Sequence, residues 1–248
     1  MAPYDRGRMA SPEERDRLTA EIASIKGWLT PEEAEALFDR AKACTGRGVI
    51  AEIGSYRGRS TICLGLGSQA GCQVPIFAID LHQDNRFRRF ARNIDRAGVG
   101  ELITPMTGRS QEIAADFNEP VELLFIDGAH DYEGVREDFE RWVPKLVEGG
   151  WLAMHDTTWT EGPKRVADTL VLRSRHFRRA QFVPGSMLLA QKVSANTPRD
   201  RLRSTAVLVV KTAFAHGSAI LKQRREWLPA RIESGVRRFL ARLSRRPI

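Results

Sequence analysis

The sequence predicts a doubly wound α/β fold built on a mostly parallel sheet, and three observations support this prediction. Short apolar runs alternate with helical patterns between residues 48 and 192. Four of these runs end in polar or glycine-rich clusters, at residues 52–58, 80, 126–130 and 154–156. The last two runs are separated only by Pro184-Gly185-Ser186, which indicates an antiparallel hairpin at one edge of the sheet.

Two helices are predicted before the first strand, because the same capping pattern occurs twice. Ser11-Pro12-Glu13-Glu14 places a capping hydroxyl, a proline at the first helical position and a glutamate at the third, and Thr30-Pro31-Glu32-Glu33 repeats it. The second helix is expected to run to about Ala43 with one apolar face. Residues 1–46 are therefore predicted to form N-terminal helices.

Residues 47–194 are predicted to form the cofactor-binding catalytic domain. Strands are expected near residues 48–53, 75–79, 102–105, 122–126, 150–154, 179–183 and 187–192. Helices are expected near residues 59–70, 85–97, 110–116, 132–145 and 162–173. This alternation predicts a parallel, doubly wound sheet, and ligands of such open sheets bind at the ends of the strands.

Residues 195–248 are predicted to form a basic helical tail. They contain 13 Lys and Arg against 3 Asp and Glu, a net charge of +10, whereas the whole chain carries +8. The basic charge therefore belongs to the tail, and no nucleic-acid partner is expected. The apolar stretch at residues 206–214 is too short to span a bilayer.

Within the tail, residues 229–246 place apolar side chains on one helical face among arginines (Ile232, Val236, Phe239, Leu240 and Leu243). This pattern fits an anionic membrane surface or an acidic partner, and it equally fits packing on the chain's own domain or in a homodimer. Under the membrane interpretation, a chain that ends near Val193 should stay folded and bind its cofactor.

The compartment is inferred from the cysteines and the N-terminus. Cys44, Cys63 and Cys72 form no C-x-x-C pair, and the charged residues 1–17 lack the apolar core of a secretory signal. We therefore expect a cytoplasmic protein, with peripheral membrane attachment through the tail left open.

The motif that carries most functional information lies at residues 49–61. Apolar residues lead to Glu52 and then to Gly54 and Gly58, a pattern typical of a buried strand, a glycine-rich turn and a helix start. The first glycine of the dinucleotide fingerprint G-x-G-x-x-G is absent, so an NAD-dependent oxidoreductase is disfavoured.

Glu52-x-Gly54-x-x-x-Gly58, followed by Asp80 and Asp127 at later strand ends, resembles the class I S-adenosylmethionine-dependent methyltransferases over about residues 28–192. The resemblance implies that Gly54 and Gly58 make room for the methionine part of the cofactor and that Asp80 accepts the ribose hydroxyls. The remaining cofactor-binding residues implied are Glu52, which orders the turn, Ser55, Ser60 and Thr61 near the carboxylate, and Ser110 near the adenine.

A second cluster comprises Asp127, His130, His155 and Asp156, at two strand ends. Such carboxylates could gather around Mg²⁺ or another divalent cation, with His130 as general base. The pattern is similar to that of the metal-dependent sugar O-methyltransferases of the macrolide-sugar and methylmannose-polysaccharide types, which implies Asp127, His155 and Asp156 as metal ligands. His155 stands where these relatives have a carboxylate, so it could bind metal, donate a hydrogen bond or favour another ion.

These residues predict an enzyme that moves a methyl group from S-adenosylmethionine to a hydroxyl of a sugar or glycan with the help of Mg²⁺. One alternative keeps the cofactor, drops the metal and takes a small phenolic or lipid-like hydroxyl. Another is a non-catalytic module that binds S-adenosylmethionine or a nucleotide and docks through the basic tail.

Overall fold

The computed structural model describes residues 9–83 and 85–223, whose strands form one seven-stranded sheet. The order is β3-β2-β1-β4-β5-β7-β6, with β1 to β5 parallel and β7 antiparallel to both of its neighbours. The strands are β1 (Val49–Ile53), β2 (Ile76–Asp80), β3 (Ile103–Thr107), β4 (Val121–Ile126), β5 (Leu146–Met154), β6 (Phe177–Val183) and β7 (Met187–Lys192). The predicted doubly wound, mostly parallel sheet with an antiparallel edge hairpin is confirmed.

The helices also lie close to where the sequence places them. Both predicted capping boxes are formed, at Ser11 with Glu14 and at Thr30 with Glu33. The helix expected over residues 162–173 is shorter, because a π turn at Ala167–Val171 follows it. The helices are α1 (Pro12–Ala23), α2 (Pro31–Lys42), α3 (Arg59–Ala70), α4 (Arg86–Arg96), α5 (Ser110–Asp116), α6 (Tyr132–Trp142), α7 (Glu161–Val166) and α8 (Pro198–Gln223).

The central strands β1 and β4 are buried on both faces, as expected for parallel strands covered by crossover helices. Helices α1 to α4 pack on one face, where Leu37 and Leu64 meet Ile50 of β1. Helices α5 to α8 pack on the other face, where Val135 and Val207 belong to the same apolar cluster as Ala51 of β1. Alternate residues of a strand therefore serve two separate halves of the core.

The N-terminal helices and α8 are integrated into this core. The Arg59 guanidinium of α3 donates to the carbonyl groups of Ile22, Ile25 and Leu29, which ties the α1–α2 connection to α3. On the opposite face, Phe214 of α8 is buried in the apolar cluster. Residues 224–248, including the predicted amphipathic face at 229–246, lie outside the described residues. None of the described helices combines the length and the apolar character needed to cross a membrane.

Candidate active site

The candidate site lies at the carboxyl ends of the parallel strands β1, β2, β4 and β5. A glycine there allows the turn after β1 to touch the turn after β4. Gly54 follows β1 with φ +91°, and a side chain there would overlap the carbonyl group of Asp127, which follows β4. Only glycine combines this backbone conformation with so close an approach. The turn after β1 is thereby held against the turn after β4.

Three residues without glycine's freedom also adopt left-handed backbone conformations at this edge. They follow β1, β2 and β5 respectively: Tyr56 (φ 45°), His82 (φ 45°) and Asp156 (φ 57°). Each such conformation costs on the order of 1–3 kcal/mol, and residues of this kind cluster at ligand sites. The strain therefore marks the same edge that the sequence motifs indicate.

Glu52 lies fully buried beneath the glycine turn. Its Oε2 accepts a hydrogen bond from the Thr61 hydroxyl, while its Oε1 is buried and has no hydrogen-bond partner within the part of the chain that the structure describes. Burial raises the pKa of Glu52 to about 8, although the hydroxyl groups of Ser60 and Thr61 oppose the shift. The Thr61 side chain therefore binds Glu52, while the backbone N–H groups of Ser60 and Thr61 stay at the start of the helix.

Helix α3 begins with no side-chain cap after Gly58, which has φ +85°. The first N–H groups of a helix lack intrahelical partners and carry the positive end of the helix dipole, so they suit a carboxylate. Nearby, the Ser55 hydroxyl is buried without a hydrogen-bond partner among the described residues. The helix start and Ser55 together fit the charged methionine end of S-adenosylmethionine.

Asp80 is held rigidly at the end of β2. Its Oδ2 accepts from the Tyr56 N–H at 2.8 Å, and its Oδ1 accepts from the His82 N–H at 2.8 Å. A carboxylate offers about four acceptor positions, so two remain for other donors. This arrangement fits a residue that accepts both ribose hydroxyls of the cofactor.

Ser110 starts α5 after β3, and its hydroxyl donates to the buried carboxylate of Asp138 on α6. Burial raises the pKa of Asp138 to about 6, and the hydrogen bond from Ser110 opposes this shift. The backbone of the preceding turn is fixed as well, because the Gly108 N–H donates to the Asp80 carbonyl. The turn that leads to Ser110 is therefore bound to the backbone of Asp80 through Gly108.

The second predicted cluster also converges. Asp127, His130 and Asp156 each offer a ligand atom, and these atoms lie within 4.8 Å of one another. The contact between His130 Nε2 and Asp156 Oδ2 measures 2.9 Å, and the His130 side chain is 60% exposed, so the group is open to solvent. Two carboxylates and an imidazole in this arrangement fit a divalent cation.

His155 lies behind this group and is buried. Its Nδ1 is 3.2 Å from Asp127 Oδ1 and 3.4 Å from Asp156 Oδ1, while its Nε2 is 3.4 Å from Glu33 Oε2. Burial alone would lower the pKa of His155, but hydrogen bonds to these carboxylates outweigh burial and raise it to about 12. His155 is therefore an imidazolium whose two N–H groups are directed at carboxylates.

The neighbouring carboxylates respond in opposite directions. Burial raises the pKa of Asp127, and the hydrogen bond from His155 reduces that shift. Burial also acts to raise the pKa of Asp156, but hydrogen bonds from His155 and His130 outweigh it and lower the pKa. The carboxylates of Asp127, Asp156 and Glu33 outnumber the imidazolium of His155, so the cluster has a net negative charge that suits a cation.

Glu33 and Ser186 are site residues that the sequence did not reveal. Glu33 accepts from the Ser186 N–H at 2.5 Å, and the Ser186 hydroxyl lies 3.2 Å from His155 Nε2. The Asp156 N–H also donates to that hydroxyl. In the sequence Glu33 only signals a helix cap, and no local pattern links it to a histidine 122 positions away.

Comparisons with known proteins agree with this geometry. Residues 51–157 match a family model described as a methyltransferase domain. An uncharacterized protein of Sinorhizobium fredii, y4gI, is 29% identical over 119 residues, which cover 44% of this chain. The match covers only 13% of that much longer relative.

Solved methyltransferases share the fold. O-methyltransferase TomG from Streptomyces achromogenes, in complex with SAM, is 16% identical with a TM-score of 0.57, over 75% of this chain and 92% of TomG. An O-methyltransferase from Bacillus cereus, in complex with SAH, is 17% identical with a TM-score of 0.56, over 74% of this chain and 92% of that one. The chain therefore has the Rossmann-like fold that these methyltransferases share, as predicted.

Proposed function

We propose that this chain transfers the methyl group of S-adenosylmethionine to a hydroxyl group, and that the acceptor is a sugar or glycan. The observation that carries the proposal is the contact at Gly54, which joins two groups of side chains at one sheet edge. The glycine turn and Asp80 form the cofactor side, and Asp127, His130 and Asp156 form the acceptor side. The O-methyltransferase neighbours and the methyltransferase family model support methyl transfer.

The cofactor side positions the reactive group. When bound, S-adenosylmethionine supplies a methyl group on a positively charged sulfur. Asp80 would hold the ribose, the first turn of α3 would hold the methionine carboxylate, and Ser110 would border the adenine. Transfer is an in-line displacement, so fixed positions of donor and acceptor supply much of the rate.

The acceptor side handles the proton. The 2.9 Å contact places the His130 Nε2–H against Asp156, which leaves Nδ1 to accept the proton of the acceptor hydroxyl. Asp156 then stabilises the imidazolium that forms. Asp127 and Asp156 would hold a divalent cation, which when bound supplies positive charge that acidifies and orients the hydroxyl.

A sugar acceptor is supported by the surroundings of this group. Trp159 follows Asp156 by three positions and is 55% exposed, so its ring is available to stack on a sugar. His155 supports the two aspartates from behind and is assigned a positioning role.

A metal-independent O-methyltransferase is the second candidate. It is favoured by the His130–Asp156 contact, which orients the imidazole as a base without any further group. With Nε2 directed at Asp156, His130 has only Nδ1 left, which can ligate a cation or accept a proton but not both at once. A chelator should stop the metal-dependent reaction and leave the metal-independent reaction unchanged.

The test is methyl transfer from labelled S-adenosylmethionine to fractionated glycans, with and without EDTA.

Asp80→Asn should weaken binding of S-adenosylhomocysteine about tenfold, since hydrogen bonds to charged groups contribute roughly 1.5–3 kcal/mol. Asp127→Asn should abolish turnover while sparing that binding, and the exposed Asp116→Asn serves as control. His130→Ala should lower turnover by roughly 10²–10⁴.

Each outcome bears on one part of the proposal. Full activity in EDTA would remove the cation and leave the metal-independent candidate. Unchanged affinity in a folded Asp80→Asn variant would remove Asp80 from the cofactor site. Product from a phenol but from no glycan fraction would replace the sugar acceptor.

A further inference from the structure

Helix α4 presents arginines that are unpaired within the described residues. Arg88, Arg89 and Arg92 are exposed, and Arg88 and Arg92 are neighbours on one helical face. Like charges at this spacing destabilise a helix. Residues 81–96 contain five arginines against two aspartates. Arginines that form ion pairs with described acidic side chains include Arg15, Arg47, Arg136 and Arg141, which lie outside this segment.

Large apolar side chains are exposed beside these arginines. Trp28 is 74% exposed, Leu81 49% and Phe87 42%. The Trp28 ring lies 5.8 Å from the Tyr56 ring, over which the Arg86 guanidinium is placed at 5.7 Å. Phe87, the residue after Arg86, lies against the ring of His82, which follows Leu81. Trp28 is thus linked to α4 through Tyr56 and Arg86, Phe87 belongs to α4 itself, and Leu81 adjoins His82 in the chain.

This surface borders the cofactor site. The Asn93 amide of α4 donates to the carbonyl group of Arg57 at 2.8 Å, and a side chain at Gly58 would touch Phe90 and Ile94. Helix α4 therefore packs directly on the glycine turn. The exposed arginines and apolar side chains flank the edge of the sheet at which ligands enter.

We propose that this surface, the α4 patch (Trp28, Leu81, Phe87, Arg88, Arg89 and Arg92), docks on a bilayer that contains anionic lipids. Trp, Phe and Leu side chains partition into the boundary between headgroups and acyl chains, and guanidinium groups pair with lipid phosphates. Arginines with aromatic rings also suit nucleic acid, but the aliphatic Leu81 gains little from bases and gains from lipid. The α4 patch does not include residues 229–246, and its assignment does not depend on them.

The experiment uses the full chain and two vesicle types, pure phosphatidylcholine and an equal mixture with phosphatidylglycerol. Sedimentation should show binding to the mixed vesicles alone, with loss at high salt. Combined Arg88→Glu, Arg89→Glu and Arg92→Glu should weaken that binding by more than about a hundredfold, since each basic residue near an anionic surface contributes roughly fivefold and each new glutamate adds repulsion. Phe87→Ser should weaken it without changing its salt dependence.

The control is the double variant Arg173→Glu and Arg175→Glu, which reverses two arginine charges where the α4 variant reverses three. Both residues are exposed just before β6. Because β6 runs parallel to β5, its start lies at the amino ends of the parallel strands, opposite to the carboxyl ends that form the candidate site. Vesicle binding by this control should equal that of the unmodified chain. S-adenosylhomocysteine binding and thermal melting confirm that every variant is folded.

Three results would overturn the proposal. The unmodified chain could ignore mixed vesicles at low salt. The α4 and control variants could lose binding equally, which would indicate an effect of total charge. A single-stranded oligonucleotide could bind through the same arginines more tightly than vesicles do, which would assign the patch to nucleic acid.

Discussion

At the scale of single residues, Gly54 shows how a missing side chain joins the two halves of the site. Gly54→Ala should destabilise the fold by more than about 3 kcal/mol, because the new methyl group meets the Asp127 carbonyl in a left-handed backbone conformation. Denaturant unfolding measures the change. The control is Gly46→Ala, where φ is +85° but nothing lies within 4 Å, so only about 1–2 kcal/mol should be lost. Equal losses in the two variants would contradict the proposed clash.

Glu52 gives a prediction for pH. Its pKa, raised to about 8 by burial, means that the folded chain holds a proton that the unfolded chain releases above about pH 4.5. The contribution of Glu52 to the free energy of unfolding is therefore fully present below pH 4.5 and decreases as the pH rises towards 8. Melting temperatures of the cofactor-free chain should decline between pH 6 and 8, and less steeply in Glu52→Gln. Parallel curves for the two proteins would contradict the assignment of this slope to Glu52.

The limits of the sequence are clearest for His155 and Glu33. The apolar run before residue 155 locates the end of a strand, so the sequence identifies His155 and Asp156 as residues of that strand end. It cannot reveal that both ring nitrogens of His155 point to carboxylates, since one of them belongs to α2 and lies 122 positions away. Side-chain pairing between distant elements depends on packing and leaves no local pattern.

At the scale of elements, α2 connects the N-terminal region to the acceptor side. Glu33→Gln replaces a carboxylate that faces the His155 imidazolium with a neutral amide, so the orientation of Asp127 and Asp156 should loosen. Turnover should fall roughly 10–100-fold, the usual scale for a residue that orients ligands, while S-adenosylhomocysteine affinity stays unchanged. Glu32→Gln, one position earlier in α2, is the control and should behave like the unmodified chain.

A purely structural role of Glu33 would give a different result. Lower melting temperature with unchanged turnover of the folded fraction would assign Glu33 to the stability of the hairpin alone. The two measurements therefore separate positioning from packing.

The elements themselves were largely predictable, for reasons that differ between them. The starts of α1 and α2 follow from capping boxes, which are local interactions within four residues. The π turn after α7 was not predictable, because no local pattern in residues 162–173 distinguishes it from the continuous helix expected there. Its Asp168 pairs with Lys211 of α8, a contact between distant parts of the sequence that leaves no local pattern.

At the scale of the whole molecule, α8 belongs to the fold on which the site depends. Lys211 is buried, pairs with Asp168 and donates to the Thr157 carbonyl at 2.7 Å, next to Asp156. Phe214 packs against the rings of Trp159 and Phe182. Under the membrane interpretation of the tail, a chain ending near Val193 was expected to remain folded, and the packing of α8 argues against that expectation.

We expect the chain that ends at Val193 to lose several kcal/mol of stability, since truncation of one buried phenylalanine alone costs about 3–5 kcal/mol. It should also lose turnover, because the segment after Asp156 loses its anchor at Lys211. A chain that ends at Gln223 keeps α8 and should match the full chain in thermal melting and S-adenosylhomocysteine binding. If the shorter chain melts with the full chain, α8 is an appendage after all; if the longer one already fails, residues 224–248 contribute to the fold.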